Sequence, residues 1–346
     1  LTLMILLFNF FSKNKFVFKD FLNQNAVVFI VFVLQQKKKT VFLINISDYH
    51  KVLNRFGLLF FLKNFSINFS FDNSKSISFT DPKADYYFNQ DYFLYFDRQD
   101  SQSENQFILP FYLTRNIYIK NKLKKYQNLS ESKKKFKIIF SGTVHNEWYE
   151  DFYFKNNKNE LFLNRHTILN FVKRNFKENI LVLNNESQLN EIENTNKQIL
   201  IMETNPDISG RKKNFSEFNH FNLISQSNFF LCLPGASMPL CYHLIESCLV
   251  GTVPILSYNN YLMPKFNDKE ALFFFNKAEL LTAINKALKI DEIEYLNMKK
   301  NIIRYYNDNL SPSGVYKKLI NKKFPIEIFT NFDHTSSKLR IKRLKD

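Results

Sequence analysis

The pattern of apolar and polar positions changes along the chain, and the change falls near residues 120–135. From Lys120 to Lys135 the sequence is polar and basic and has no apolar period, which predicts a linker. Beyond the linker, short apolar runs of strand length recur at regular intervals. We predict strands at six of these runs: Ile138–Gly142, Ile180–Leu183, Ile199–Met202, Phe229–Leu233, Val253–Leu256 and Ala271–Phe275.

Amphipathic stretches separate most of these runs and predict helices. They are Arg165–Lys177, Ser187–Lys197, Phe215–Ser227, Pro239–Val250 and Lys277–Lys289. Short buried strands alternating with helices are typical of a doubly wound, Rossmann-like parallel sheet covered on both faces. Ligands of such sheets bind at the carboxyl ends of the strands. We therefore expect a site in the loops that follow Gly142, Met202, Leu233 and Leu256.

The first third of the chain has a different pattern, with strand-like runs and weak helical signal. The runs are Ala26–Leu34, Thr40–Ile46, Ser66–Phe71, Tyr92–Asp97 and Phe107–Leu113. Their spacing predicts no topology. The whole pattern gives an N-terminal domain over 1–125, a linker over 126–135, a Rossmann-like domain over 136–310 and a basic C-terminal tail over 311–346.

Composition narrows the class of protein. The chain has 346 residues, enough for two domains, and 45% of them are hydrophobic, which excludes a largely disordered chain. The net charge of +16 suits nucleic acid, an anionic membrane surface or a phosphorylated substrate, and equally a solvated lysine-rich surface. Basic and aromatic residues are not interleaved as in RNA-binding sheets, and a G-x-G-x-x-G dinucleotide motif is absent.

The cysteines and the N-terminal segment indicate in which cellular compartment the protein is found. Cys232, Cys241 and Cys248 fit no common zinc pattern, so we expect buried thiols and a reducing compartment. The apolar run Leu1–Phe11 is too short to span a bilayer and lacks the features of a signal peptide. Because the chain does not begin with Met, a lost N-terminal anchor stays compatible with the sequence. We expect a cytoplasmic or peripheral membrane protein.

The segment Phe229–Leu256 is the most informative part of the sequence. A strand ends at Pro234-Gly235, a tight turn with Ala236 and Ser237 follows, and Pro239 suits the first turn of a helix. Close backbone approach at Gly235, together with the unpaired N–H groups of the helix, predicts a diphosphate site.

The helix that follows carries two polar residues on one side. His243 and Glu246 are three positions apart and lie opposite the apolar arc. Glu246 can accept hydrogen bonds from sugar hydroxyls and His243 can contact phosphate; the alternative is an exposed pair without function. Gly251 predicts the end of the helix.

These residues resemble one family. Exostosin-type glycosyltransferases have a similar strand, proline-glycine turn, acidic helix and G-x-x-P-I strand, matched here by Ser227, Phe229, Leu231, Pro234, Gly235, Glu246, Gly251, Pro254 and Ile255. The resemblance implies a GT-B-like α/β fold, in which two Rossmann-like domains face a cleft and the N-terminal domain binds the acceptor. Many members carry arginine at the position of His243.

The resemblance extends upstream to Phe140–Thr143, which is similar to the glycine turn after the first donor-domain strand. It implies donor contacts from Gly142 and Thr143, and Arg165 is a candidate phosphate contact or else a surface arginine. No Asp-x-Asp motif occurs, so we expect no metal and no cofactor beyond a nucleotide-sugar donor. Asp48 and His50, just after a predicted strand, are candidates for the catalytic base, or else turn residues.

The sequence thus predicts a hexosyltransferase-like glycosyltransferase of polysaccharide biosynthesis. Its partners would be a nucleotide sugar, a glycan or lipid-linked acceptor and a membrane surface contacted peripherally, without nucleic acid. Two alternatives stay open: a basic nucleic-acid-binding protein, and a catalytically inactive relic of the transferase fold.

Overall fold

The structure is a computed structural model, and it describes the greater part of the chain. The described residues are 14–18, 24–36, 40–44, 65–67, 75–78, 80–89, 104–109, 112–144, 152–154, 160–193, 195–204, 216–235, 239–330 and 341–343.

The regular elements are numbered in chain order. The described strands are β1 Asn14–Phe18, β2 Thr40–Ile44, β3 Phe65–Ile67, β4 Lys75–Ser78, β5 Tyr86–Asn89, β6 Gln106–Ile108, β7 Phe136–Gly142, β8 Phe152–Phe154, β9 Glu160–Phe162, β10 Ile180–Leu183, β11 Ile199–Glu203, β12 Ser227–Cys232, β13 Val253–Leu256, β14 Leu272–Phe273, β15 Ile326–Phe329 and β16 Ile341–Arg343. The described α-helices are α1 Gln24–Leu34, α2 Arg115–Ile119, α3 Leu123–Gln127, α4 Arg165–Asn175, α5 Glu217–Ser225, α6 Tyr242–Leu249, α7 Lys277–Lys289, α8 Glu292–Tyr305 and α9 Pro312–Leu319.

The chain forms two compact units. The first contains Leu1–Lys122 and Asp308–Asp333, and the second contains Leu123–Asn307 and His334–Asp346. Each is built on a parallel sheet, so the predicted α/β class with two parallel-sheet units is confirmed.

The second unit has the sheet that the sequence predicts. Its described strands lie in the order β10-β11-β7-β12-β13-β14, and all pairs are parallel. The chain runs outward from β7 to β10, returns through β11, and crosses to the other side of β7 through β12. The direction of winding therefore reverses at β7 and β12, and ligands of doubly wound sheets bind outside the strand ends at such a point.

Helices of this unit depart from prediction in two places. The predicted helix Ser187–Lys197 is instead a 3₁₀ turn over Glu186–Ile192. Helix α6 begins at Tyr242, three residues after Pro239, because the Pro239 carbonyl accepts a hydrogen bond from Gly235 N and belongs to the turn. Gly251 ends α6 as predicted, at a φ of 67° in the left-handed region that favours glycine.

The predicted linker 126–135 is wrong in part, because it holds packed structure. Residues Leu123–Glu131 form α3 and a 3₁₀ turn. The ring of Tyr126 stacks on Phe221 with centroids 4.1 Å apart, and its hydroxyl donates to Glu217. Tyr126 is the one buried side chain of this segment, and a single buried position gives the sequence no apolar period.

The first unit contains a parallel sheet in the order β3-β2-β1-β4-β5-β15-β6 among its described strands. Two predictions fail here. The run Ala26–Leu34, predicted as a strand, belongs to α1, which packs against α2 and α9. Its described side chains from Val27 to Val31 are fully buried, and a helix that is apolar all round is stable in such surroundings despite its β-branched residues.

The second failure is the predicted basic tail over 311–346. Residues Pro312–Leu319 form α9, and β15 inserts between β5 and β6 in the first sheet. The chain thus returns to the first unit near its end.

A smaller antiparallel sheet, in the order β16-β8-β9, belongs to the second unit. Among the residues that the structure describes, no helix is both long and apolar enough to cross a membrane.

Candidate functional site

The candidate site lies where β7 and β12 end, at the point of reversal in the second sheet. Gly142 closes β7, and its carbonyl accepts a hydrogen bond from Thr204 N at 3.0 Å. The Thr143 hydroxyl donates to the Thr204 carbonyl at 3.3 Å. The first glycine turn is therefore tied to the end of β11, and Pro234-Gly235 forms the matching turn after β12.

Arg165, at the first position of α4, joins the surrounding loops. Its Nε donates to the Pro234 carbonyl at 2.9 Å, its Nη1 to the Thr143 carbonyl at 3.1 Å and its Nη2 to the Cys241 sulfur at 2.8 Å. The residue is only 3% exposed, so the alternative of a surface arginine is wrong. Arg165 acts as a brace between the two turns and the start of α6.

His243 and Glu246 are both buried, which overturns the alternative of an exposed pair on α6. The ring of His243 lies edge-on to Phe140 and Phe230, with centroids 5.9 and 5.4 Å away. Gly142 is needed for this packing, because a Cβ there would lie 2.6 Å from His243 Cε1. The polar side of α6 therefore faces the ends of β7 and β12 and not solvent.

A chain of hydrogen bonds runs through a residue that sequence reasoning missed. His220, on α5, lies 3.0 Å through Nε2 from Glu246 Oε2 and 3.1 Å through Nδ1 from Ser141 Oγ. Ser141 is the last side chain of β7 and is fully buried. The only sequence signal was a histidine next to a core phenylalanine in a predicted helix, which gives no indication of partners on β7 and α6.

Burial sets the charges in this cluster. Burial, together with the nearby Arg165 charge, keeps the pKa of His243 well below its usual value, so its ring is neutral. Burial alone would raise the pKa of Glu246, but the charge and hydrogen bond of His220 bring it below the usual value. Glu246 is thus a carboxylate, while His243 offers a neutral ring and not the positive charge expected of a phosphate ligand.

Not all of the predicted site residues are among those that the structure describes. Asp48, His50, Ala236 and Ser237 lie outside the described residues. The cysteines are free, with Cys232 and Cys248 buried as predicted, and burial raises the pKa of both thiols.

A cavity of about 1060 Å³ lies away from this site, along α8. Acidic and basic side chains both line it, among them Asp268, Glu270, Glu292, Lys300 and Arg304. None of the predicted site residues that the structure describes borders it.

No protein-family model and no curated protein matches the chain. Solved structures with a similar chain path include HepE from Anabaena in complex with UDP and glucose, at 9% identity and a TM-score of 0.41, covering 89% of this chain and 98% of that one. A glycosyltransferase from Rickettsia africae is similar at 13% identity and a TM-score of 0.32, over 92% of this chain and 78% of that one. A UDP-N-acetylglucosamine 2-epimerase is similar at 9% identity and a TM-score of 0.33, over 89% and 94%. Such remote similarities assign no activity to this chain.

Proposed function

We propose that the chain is a glycosyltransferase that moves a sugar from a nucleotide-diphosphate donor to a glycan or lipid-linked acceptor. The observation that carries the proposal is the position of Glu246. This carboxylate lies on the helix that follows a proline-glycine turn, and His220 links it to Ser141, the residue before the glycine that ends β7. In doubly wound sheets, acidic side chains beyond the strand ends accept hydrogen bonds from sugar hydroxyls, and turns that lead into helices admit phosphate.

In this proposal Glu246 binds sugar hydroxyls of the donor, while His220 orients its carboxylate through the hydrogen bond at Oε2. The turns at Gly142 and Gly235 bring backbone N–H groups close to the diphosphate. Such preorganised donors stabilise the charge that develops on the leaving group. We also assign Thr143, Ala236 and Ser237 to donor binding.

Arg165 and His243 have supporting roles in the proposal. The hydrogen bonds of Arg165 go to protein atoms, so it positions both turns, and its fixed positive charge favours an anion nearby. His243 is neutral and serves as a hydrogen-bonding partner and not as a cation. The base that activates the acceptor hydroxyl stays assigned to Asp48 or His50.

The test is calorimetric titration of the full chain with UDP, GDP, CDP and their sugars, repeated with Glu246→Gln. A hydrogen bond to a charged group contributes about 1.5–3 kcal/mol, so we expect the variant to bind one of these nucleotide sugars roughly 10- to 100-fold more weakly. Glu191→Gln, an exposed glutamate of the same unit, is the control and should bind normally.

Donor consumption in the presence of mixed glycan acceptors separates the enzyme from a relic. Nucleotide-sugar binding without turnover would favour the inactive fold. Absence of nucleotide binding, with tight and salt-sensitive RNA binding, would overturn the proposal in favour of a nucleic-acid-binding protein.

A further inference from the structure

Three side chains at the candidate site have the composition of a metal site. One ring nitrogen each from His220 and His243 and a carboxylate oxygen of Glu246 all lie within 4.8 Å of one another. Two imidazoles and one carboxylate are the protein ligands of many catalytic zinc sites, which keep a fourth position for water or substrate. The ligand atoms of a tetrahedral zinc site are spaced about 3.3 Å apart, so side-chain shifts of about an ångström complete the geometry.

A second, independent observation comes from His243 itself. Its Nδ1 is buried and has no hydrogen-bond partner among the described residues. Leaving such an atom unsatisfied costs about 1–3 kcal/mol, and buried polar atoms in native proteins are nearly always bonded to something. The ring cannot turn away to solvent, because Phe140, Phe230 and Gly142 enclose it.

His220 has the support that a metal-binding histidine needs. Metal-ligating imidazoles use their second nitrogen in a hydrogen bond that fixes the ring. Ser141 Oγ lies 3.1 Å from His220 Nδ1, on the rigid and fully buried end of β7. With Nδ1–H donating to Ser141, Nε2 of His220 is directed at Glu246 and can bind an ion once the proton that it shares with Glu246 is released to solvent.

We propose that His220, His243 and Glu246 bind a divalent transition-metal ion, for which Zn²⁺ is the best match. When the ion is bound, His220 and Glu246 each bond to the ion, and the hydrogen bond between them is lost. This departs from the sequence expectation of a metal-independent enzyme, and it does not require the proposed function to be correct.

The charges at the site indicate what the fourth ligand would be. The ion contributes two positive charges and Arg165 one, against a single carboxylate, so an anionic oxygen is favoured over a neutral ligand. If the glycosyltransferase proposal holds, that oxygen belongs to the donor diphosphate, and this last step alone rests on the proposed function.

The test uses the full chain, stripped with chelator and titrated with Co²⁺ and with Zn²⁺. We expect one equivalent to bind, with the visible absorption of four- or five-coordinate Co²⁺, and Zn²⁺ to displace it. His220→Gln, His243→Gln and Glu246→Gln should each weaken binding at least 100-fold. Ser141→Ala should weaken it about 10-fold, as loss of an outer partner does.

His166→Gln is the matched control, since His166 lies on α4 and its Nε2 pairs with Asn170. Saturable binding that survives in the three ligand variants, or binding lost only in the His166 variant, overturns the inference, as does absence of any stoichiometric binding by the wild type. Far-UV circular dichroism checks that each variant is folded, and Ser141→Ala keeps the test valid if a ligand variant is not.

Nucleotide titrations with and without chelator separate the two proposals. Metal binding without nucleotide binding would remove the proposed function and leave the metal site. Nucleotide binding by a chain that takes up no Co²⁺ or Zn²⁺ would do the reverse.

Discussion

The two parallel sheets use their polar side chains differently. In the first unit, Glu327 on β15 joins both neighbouring strands, because one carboxylate oxygen accepts from Asn89 on β5 at 2.8 Å and the other from Gln106 on β6 at 2.9 Å. In the second unit, polar side chains gather beyond the strand ends, where His220 joins Ser141 to Glu246. The first arrangement fixes which strands are neighbours, and the second holds loops and acidic groups in one place. We infer that polar side chains serve assembly in the first sheet and ligand chemistry in the second.

The largest effect that would test this comparison is expected at Arg165. Arg165→Met keeps most of the apolar stem but leaves the carbonyls of Pro234 and Thr143 without their donor. Each buried carbonyl left without a donor costs about 1–3 kcal/mol, so we expect a loss of about 2–6 kcal/mol in urea unfolding. Hydrogen exchange should accelerate in the turns after β7 and β12.

Arg174→Met on the exposed side of the same helix is the control and should cost less than about 0.5 kcal/mol. Equal losses in the two variants would mean that Arg165 does not brace the turns.

A second effect is expected at Lys134, which lies just before the amino end of β7. The free energy of unfolding should change there by a few kcal/mol. Burial, and then the charge of Lys299, lower the pKa of Lys134 from 10.5 to about 7. Between these values the unfolded chain holds a proton that the folded chain has lost, so stability should rise with pH from about 7 to about 10.5. Below pH 7 both states are protonated and the penalty is constant.

Lys134→Met should remove that rise, at about 1.4 kcal/mol for each unit of pKa shift as an upper limit. The measurement is the difference in unfolding free energy between wild type and variant at several pH values. The neighbouring exposed Lys135→Met is the control, and an equal flattening in that variant would refute the assignment.

Gly142→Ala should cost about 1–3 kcal/mol by overpacking. The added Cβ would meet His243 Cε1 at 2.6 Å and Phe140 Cζ at 3.2 Å. The measurement is urea unfolding of the single variant and of Gly142→Ala combined with His243→Ala. If the clash with His243 is the cause, the double variant should be more stable than the sum of the two changes predicts. Strict additivity would place the strain elsewhere.

The parts of the fold that the sequence predicts are the elements that depend on the residue types of a few adjacent positions. Strands β7, β10, β12 and β13 lie where the apolar runs predict them, and Gly251 ends α6, because each depends on a few adjacent residues. Strand β15 was missed because its hydrogen-bond partners lie more than 200 positions away along the chain. Helix α1 was mistaken for a strand because its β-branched run is stabilised by tertiary burial.

The candidate site shows the same limit. Glu246, His243 and Gly142 were identified from short motifs and do come together at the sheet edge. The partner that connects them, His220, has no motif, and its role depends on the packing of α5 beside α6. The neutral state of His243 could not be predicted from the sequence either, since burial and the nearby Arg165 charge determine it. Whether Asp48 and His50 act as a base stays a prediction.

The smallest effect on stability is expected in the first sheet, at Glu327. Glu327→Ala takes an acceptor from Asn89 and from Gln106 at once, so we expect a loss of about 1–2 kcal/mol and faster hydrogen exchange in β5 and β6. Glu104→Ala removes an exposed ion pair with Lys323 in the same unit and should cost less than about 1 kcal/mol. If Glu327 only joins strands, its variant should leave binding of nucleotide sugar and of Co²⁺ unchanged. A change in either ligand's affinity would mean that polar groups in the first sheet also serve ligand chemistry, and the contrast between the two sheets would fail.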